Sequence, residues 1–449
     1  MSAAFDDRAG CLVVPCDERA RIRWIRLARS SELVKTLVLA LVLGTSPAEE
    51  SSATELRFFD LLEEALEKNP ELQSYERRAQ AALDRADAQA AFPDPVVGFS
   101  VHDLPVPSFS FKEDMMTMSE AMVSQRFPWF GKRDLRRRSE GKAAEVIASD
   151  QAGHALQLTE ALAEAYAKLW LAHNSRELLA QQTEALERLV TLTRQGLSVG
   201  SGRQADLYLA EAEAARLSQR LVRIEEEEAS ARAALAALVA RETPVGGAPA
   251  SLPSLPLPEL ETRMAELDRH PQLEALRRER EAFELQAQLA RKEKIPDPEI
   301  SLSYAVRVDH PDMVGFGVSL PIPIFGAGRA DRLAAAASAA AQATERRISG
   351  RRDALVSAVR AAYAQAQAER ERERLYEEEI LPAVRQSARA SAAAYVAGAG
   401  NLLTVLDQER NVFALEMERL EARAASFVAL VRLASRAGDL GSLRAAGEE

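Results

Sequence analysis

Five histidines, His102, His154, His173, His270 and His310, are the first residues to ask for metal or acid–base chemistry. No two of them stand four apart on a helix, the spacing that turns two imidazoles toward one zinc ion. Cys11 and Cys16 precede any plausible folded region, so they build neither a disulfide framework nor a thiolate site in the body of the chain. Met115, Met116, Met118 and Met122 form a cluster whose thioethers could serve copper or silver. Methionine is also a flexible apolar filler, and packing on a lipid-facing surface or at a rim is the expectation here. No glycine-rich phosphate loop, nucleophile elbow or H-E-x-x-H pattern occurs. Glu225 to Glu228 reads as a solvated helix face. The residues thus point to a protein that is not an enzyme and that uses no cofactor and no resident metal.

With catalysis set aside, composition describes the scaffold. Aromatics supply only 5% of the residues and charged side chains 28%, which suits long amphipathic helices better than a compact aromatic core. The net charge of −11, with acids interleaved among the arginines, argues against a nucleic-acid partner.

Arg19, Arg21, Arg23, Arg26 and Arg29 precede the apolar run Leu37 to Leu43, and small residues with Pro47 follow. This order describes a secretory signal, and residues 1–48 are read as signal peptide and N-terminal extension. No cysteine follows the apolar run to accept a lipid. Beyond Gly44 no apolar run reaches the ~20 residues of a membrane-spanning helix, so any membrane part must be a β-barrel.

The chain is written twice. Asn69-Pro70 is answered by His270-Pro271, Pro93-Asp94-Pro95 by Pro296-Asp297-Pro298, and Phe130-Gly131 by Phe325-Gly326. Leu197-Ser198-Val199-Gly200 is answered by Tyr395-Val396-Ala397-Gly398. Landmarks in one order, roughly 200 residues apart, mark an internal repeat. The division that follows is a first repeat at 49–242, a Pro/Gly-rich connector at 243–258, a second repeat at 259–438 and a tail at 439–449.

Each repeat reads helix, strand, strand, long helix, helix. Residues 55–91 and 259–294 have helical periodicity and end at proline. Val97-Gly98-Phe99-Ser100-Val101-His102, Ile300 to Val308 and Val314 to Leu320 alternate apolar with small or polar residues, and Met116 to Gln125 does so less cleanly. At about ten residues each, these are the length of membrane β-strands. Helical pattern then runs from Lys132 to Gln195 and from Arg329 to Ala397, with Pro382 the only serious interruption. A helix of ~65 residues would reach about 100 Å, enough to cross a compartment.

Asn69-Pro70, Pro93-Asp94-Pro95, Ser124 to Lys132 and Tyr395 to Asp407 together resemble the TolC-like outer-membrane efflux family, over about residues 55 to 440. Gln125 to Lys132 is most similar to the branch serving heavy-metal pumps, with multidrug or organic-solute channels as the alternative. The resemblance implies a fold that is mainly α with a small membrane β part: three protomers, four strands each, close a β-barrel that continues into a long α-helical barrel. It implies a passive conduit in the outer membrane of a Gram-negative bacterium with a long periplasmic extension. Its partners would be two further copies of itself, outer-membrane lipid, a periplasmic adaptor and an inner-membrane RND-type pump. Pro128, Trp129 and Gly131, with Pro323 and Gly326, would redirect the chain from barrel to helix, since proline removes a ladder donor and glycine frees the backbone. The turns at Val199, Gly200 and Gly202 and at Gly398 and Gly400 would form the adaptor-docking tip. Asp407 fits one constricting aspartate of the family, Thr404 stands where a second is usual, and Asp206 holds the matching place after the first turn. Rings of aspartate would favour cations at a gate. The family's usual basic partner is replaced by Gly400, which leaves no evident lock. Two other readings compete: a periplasmic adaptor would carry one helical hairpin between lipoyl-like halves, and a coiled-coil scaffold would keep strict heptads and need no strands.

Overall fold

The computed structural model describes residues 55–198, 203–322, 324, 326–441 and 443. The expected signal segment, and with it Cys11 and Cys16, lies outside the described residues. So do Val199, Gly200 and Gly202 of the first turn, and Pro323 of the second crossover.

Each repeat begins with a helix broken once and then rebuilt. Helices α1 (Phe58–Lys68) and α2 (Pro70–Gln89) meet at Asn69; the short α5 (Leu260–Glu266), with a single 3-10 turn behind it, meets α6 (Pro271–Lys292) at His270. The residue before a proline is pushed out of the α region. Asn69 and His270 accordingly take nearly the same extended conformation, with φ −61 and ψ 120 at Asn69 and φ −61 and ψ 132 at His270. Each also caps the helix it precedes: Asn69 Oδ1 accepts from the Glu71 and Leu72 amides, and His270 Nδ1 from the Gln272 amide. The continuous helices expected at 55–91 and 259–294 are thus interrupted by their own proline signals.

Strands β1 (Val96–His102), β2 (Met118–Arg126), β3 (Glu299–Val306) and β4 (Met313–Ser319) form one antiparallel sheet in the order β1-β2-β3-β4. The two hairpins share a register. Val96 faces Ser124 in the first, and their repeat counterparts Glu299 and Ser319 face each other in the second. Between the hairpins, Ser124 faces Ser301 and Arg126 faces Glu299.

After β2 runs α3 (Lys132–Ser198), 67 residues and so about 100 Å long. It returns through α4 (Gln204–Leu238). After β4 the same route is taken by α7 (Gly326–Leu375), a π-turn at Tyr376–Ile380, α8 (Leu381–Val396) and α9 (Leu402–Ala437). The π-turn has a cause. Pro382 carries no amide and its ring crowds the carbonyl four residues back, so the helix widens by one residue just before it.

The main core lies where the two repeats meet, with Phe427 edge-on to both Phe58 and Tyr166, and those two rings tilted against each other. The connector joins this core rather than hanging free: Val245, Leu252 and Leu255 are buried, and Leu56 pairs with Pro249 in a parallel bridge. Tyr166 Oη closes the arrangement by donating to Leu56 O at 2.8 Å, with Ala250 O at 3.1 Å. Tyr166→Phe is therefore expected to lower unfolding stability by about 1 kcal/mol, measured by thermal melting in detergent, since it removes the hydroxyl's hydrogen bond while Leu56 O keeps the Ala250 amide as a donor. A second apolar cluster, Leu179, Leu186, Leu217, Ile224, Leu402, Leu406 and Phe413, binds α3, α4 and α9 toward their far ends. Among the described residues no helix is long and apolar enough to cross a membrane.

Candidate functional site

Three places could matter for transport: the sheet, the crossovers beneath it and the distal helix turns. Alternation gives the sheet two unlike faces. Val97, Phe99, Leu302, Val314, Phe316 and Val318 occupy one face and are solvent-exposed in the single chain, Phe99 at 83% and Phe316 at 72%. Ser100, Glu120, Ser124, Ser301 and Ser303 occupy the other. There His102 Nε2 lies 2.8 Å from Glu120 Oε2 and 2.9 Å from Ser100 Oγ, and Glu120 also takes the Ser303 hydroxyl. An exposed apolar band of this breadth marks a surface meant for lipid or protein. The methionines divide between regions. Met115 and Met116 stand exposed in the hairpin loop, whereas the register puts Met118 opposite His102 and Met122 opposite Gly98, on the polar face and not the apolar one. The odd phase of β2 hid this in the sequence, because Ser119 and Ala121 take the apolar face.

At the first crossover, Phe127 N donates to Pro298 O at 2.8 Å, and Pro128 follows, ending the ladder. Asp297 then gathers the chain: its Oδ1 accepts from the Trp129 amide and from Lys132 Nζ, both at 2.7 Å, and Lys132 also reaches Ile295 O at 2.6 Å. Lys132 is only 4% exposed. Burial would push the Asp297 carboxyl up, but the Lys132 ammonium and Trp129 amide outweigh it and hold the group below its usual range. Gly131 has φ +81, and a Cβ there would collide with Lys292 Nζ. Trp129 and Phe130 pack edge to face, both exposed, beneath the apolar band. Arg133 places its guanidinium carbon over Phe92, 3.5 Å from the ring centre, and donates to Ala90 O. Gly326 opens α7 at the second crossover. Sequence reading named the prolines, Trp129 and glycines but missed Asp297 and Lys132; the Asp within the repeated Pro-Asp-Pro was the available signal.

At the second distal turn Gly398, with φ +74, closes α8: its amide reaches Tyr395 O and the Ala399 amide reaches Ala394 O, a Schellman end. Gly400 is held differently, since a Cβ there would lie 3.1 Å from Tyr395 N. Asn401 caps α9, accepting from both the amide and the hydroxyl of Thr404, so Thr404 is engaged in the cap. Gly398→Ala is expected to cost about 1–2 kcal/mol locally, read as faster amide exchange over 394–404 with the rest of the chain unchanged.

Asp407 is exposed one turn further along α9, and Asp206 lies in the first turn of α4 with no ion-pair partner among the described residues. The basic side chain beside Asp407 is Arg410. It contacts Asp407 Oδ1 at 3.3 Å and Glu213 Oε2 on α4 at 2.5 Å, which ties the two helical hairpins together. Glu213 is 9% exposed, and Arg216 also reaches it, at 3.2 Å. The Arg410 guanidinium beside it outweighs the effect of burial and holds the Glu213 carboxyl below its ordinary range. Behind this latch a cavity of about 320 Å³ is walled by Leu186, Leu189, Tyr395, Val405 and Glu409. Burial pushes the Glu409 carboxyl up. Among the described residues no group of three or more His, Cys, Asp or Glu side chains is placed to hold a metal ion.

This pairing of a two-faced strand sheet with very long returning helices is what known proteins share. A family model described as outer membrane efflux protein matches residues 61–241 and 264–439. The chain belongs to that family. The cobalt-zinc-cadmium resistance protein CzcC of Cupriavidus metallidurans is 25% identical over 291 residues, 63% of this chain and 68% of CzcC. The solved outer-membrane channel OprN aligns with a TM-score of 0.71 at 21% identity, covering 85% of this chain and 89% of its own. CusC, solved in a study of transmembrane channel formation, aligns at 0.71 and 18% identity, covering 89% and 96%. The chain is thus an efflux protein of the outer membrane with the TolC-like fold, and both its family and its structural neighbours are channels rather than enzymes.

Proposed function

We propose that three copies of this chain close a β-barrel in the outer membrane and a helical barrel beneath it, forming a passive exit duct for heavy-metal cations. The observation that carries the duct is the sheet itself: an exposed apolar face, a polar face and two open edges, which in lipid must be closed. The 25% identity to CzcC supports metals as the cargo. The duct performs no chemistry of its own; energy comes from an inner-membrane pump, reached through a periplasmic adaptor that docks at the turns around Gly200, Gly202, Gly398 and Gly400. Asp407, with Asp206 and Thr404 nearby in the tip, rings the narrow end and favours cations, and Arg410 with Glu213 latches it.

Deleting the gene in its host and measuring growth across divalent and monovalent metals, dyes, detergents and antibiotics tests the cargo. Sensitivity confined to metals and restored by the gene is expected. Sensitivity to organic compounds alone would replace metals with organic solutes.

A further inference from the structure

The sheet ends in two strands with nothing beside them. β1 and β4 each leave a row of backbone donors and acceptors unpaired, an edge that a folded protein must cover or close. The internal repeat says what covers it. Ser124 of β2 corresponds to Ser319 of β4, and Ser301 of β3 to Gly98 of β1; the identical register of the two hairpins fixes this correspondence residue by residue. The chain therefore already contains one copy of the contact its edges lack, where β2 of the first repeat meets β3 of the second.

Resting on the trimeric reading above, we infer that β4 of one protomer pairs with β1 of the next in the register of β2 with β3, and that Asp94 of that next protomer caps the second crossover as Asp297 caps the first. Ser319 then faces the partner's Gly98, Val318 faces Phe99 and Leu320 faces Val97, which continues the apolar band around the seam without a step.

Asp94 supplies an independent argument. It is the repeat counterpart of Asp297, sits before β1 as Asp297 sits before β3, and has no hydrogen-bond or ion-pair partner among the described residues. The amide corresponding to Trp129 N is Ile324 N. Among the described residues of one protomer it reaches Ile322 O alone, 2.9 Å away and two residues back. Ile322 N, the counterpart of Phe127 N, has no partner among the described residues; across the seam it meets Pro95 O, as Phe127 N meets Pro298 O. A carboxylate without a donor and a crossover without its carboxylate thus lie at opposite edges of one sheet, and a second copy brings them together. The two caps are not equal. Lys132, which neutralises Asp297, corresponds to Ala327, so the seam cap rests on backbone amides alone. A neutral amide oxygen can replace Asp94, whereas Asp297 needs its charge.

The test uses full-length protein in detergent with Cys11 and Cys16 changed to serine. Mild oxidation of a Gly98→Cys, Ser319→Cys protein is expected to give a covalent trimer ladder. A Ser100→Cys, Ser319→Cys protein, two residues out of register, should cross-link roughly tenfold less, since its Cβ atoms lie beyond disulfide reach. Gly98 tolerates the change, because a Cβ there meets nothing nearer than Met122 Cε at 3.8 Å. Asp94→Ala should cut the fraction of trimer surviving in SDS by roughly tenfold, the worth of a charge-assisted hydrogen bond. Asp94→Asn should restore most of it, and Asp297→Asn should not behave so mildly. Light scattering separates the failures. A trimer that cross-links at the shifted pair, or at neither pair, overturns the register; a trimer indifferent to Asp94→Ala overturns the cap; and a protein that is only monomeric overturns the trimeric channel itself.

Discussion

Arg410→Ala is expected to leave the tip of the channel ajar, so that cells become sensitive to vancomycin, which an intact outer membrane excludes. Arg410 is on the second helical hairpin and Glu213 on the first, and their contact at 2.5 Å binds the two near the distal turns. Removing the cation leaves a buried carboxylate with Arg216 as its remaining partner. Stranding a buried charge costs about 3–5 kcal/mol when nothing compensates it, and the residual arginine reduces this to about 2–3 kcal/mol. That is a shift of roughly 30- to 150-fold in the latched-to-unlatched ratio. Acid should imitate the substitution. The Glu213 carboxyl is held below its ordinary value of 4.5 in the latched state. The latch therefore contributes fully above pH about 4.5 and is lost as pH falls through the lower, latched-state value. Wild-type leakage should rise only in that acid window. The Arg410→Ala channel, already unlatched, should respond far less there. Equal vancomycin resistance in wild type and variant would remove the latch from the gate.

The second large effect is expected at Lys132→Met, which should lower the thermal stability of the purified protein by about 3–4 kcal/mol and reduce its yield in the outer membrane. Methionine preserves the length and apolar stem of the side chain but not its charge. Asp297 would keep the Trp129 amide yet lose the ammonium that holds its charge in place, and Ile295 O would lose its donor. The damage falls where strand turns into helix, so the barrel-to-helix angle loosens with the melting point. Asp297→Asn should be costly as well, because it leaves the buried Lys132 ammonium facing neutral oxygens alone. Stability of Lys132→Met within 1 kcal/mol of wild type would show that the crossover is held by its prolines and packing instead.

Much of this architecture was legible because the sequence states it twice. The Asn69-Pro70 and His270-Pro271 pairs, the two Pro-Asp-Pro triplets and the alternating Ile300 to Val308 stretch each announce an element whose pattern has one physical reading. Boundaries were less so. A periodicity reading runs α1 into α2, because the extended Asn69 occupies a single residue and leaves the apolar phase intact. The π-turn before Pro382 was equally invisible, since it preserves helix and shifts only phase. The polar placement of Met118 and Met122 depended on knowing which phase of β2 pairs with β1, and β2 alternates too weakly to say. Arg410 and Glu213 stand 197 positions apart, and no local pattern joins residues on separate hairpins. Asp407 and Arg410, three residues apart on one helix, stand within local reach; the Glu213 that Arg410 also holds needed the fold.

The most direct test is conductance of the purified protein in a planar lipid bilayer, with a salt gradient to read selectivity. Discrete, long-lived current steps with a reversal potential favouring potassium over chloride are expected from a channel lined by Glu120 and narrowed at Asp407. Protein that enters the bilayer and yields no steps, in either the wild type or the Arg410→Ala form, would contradict the account.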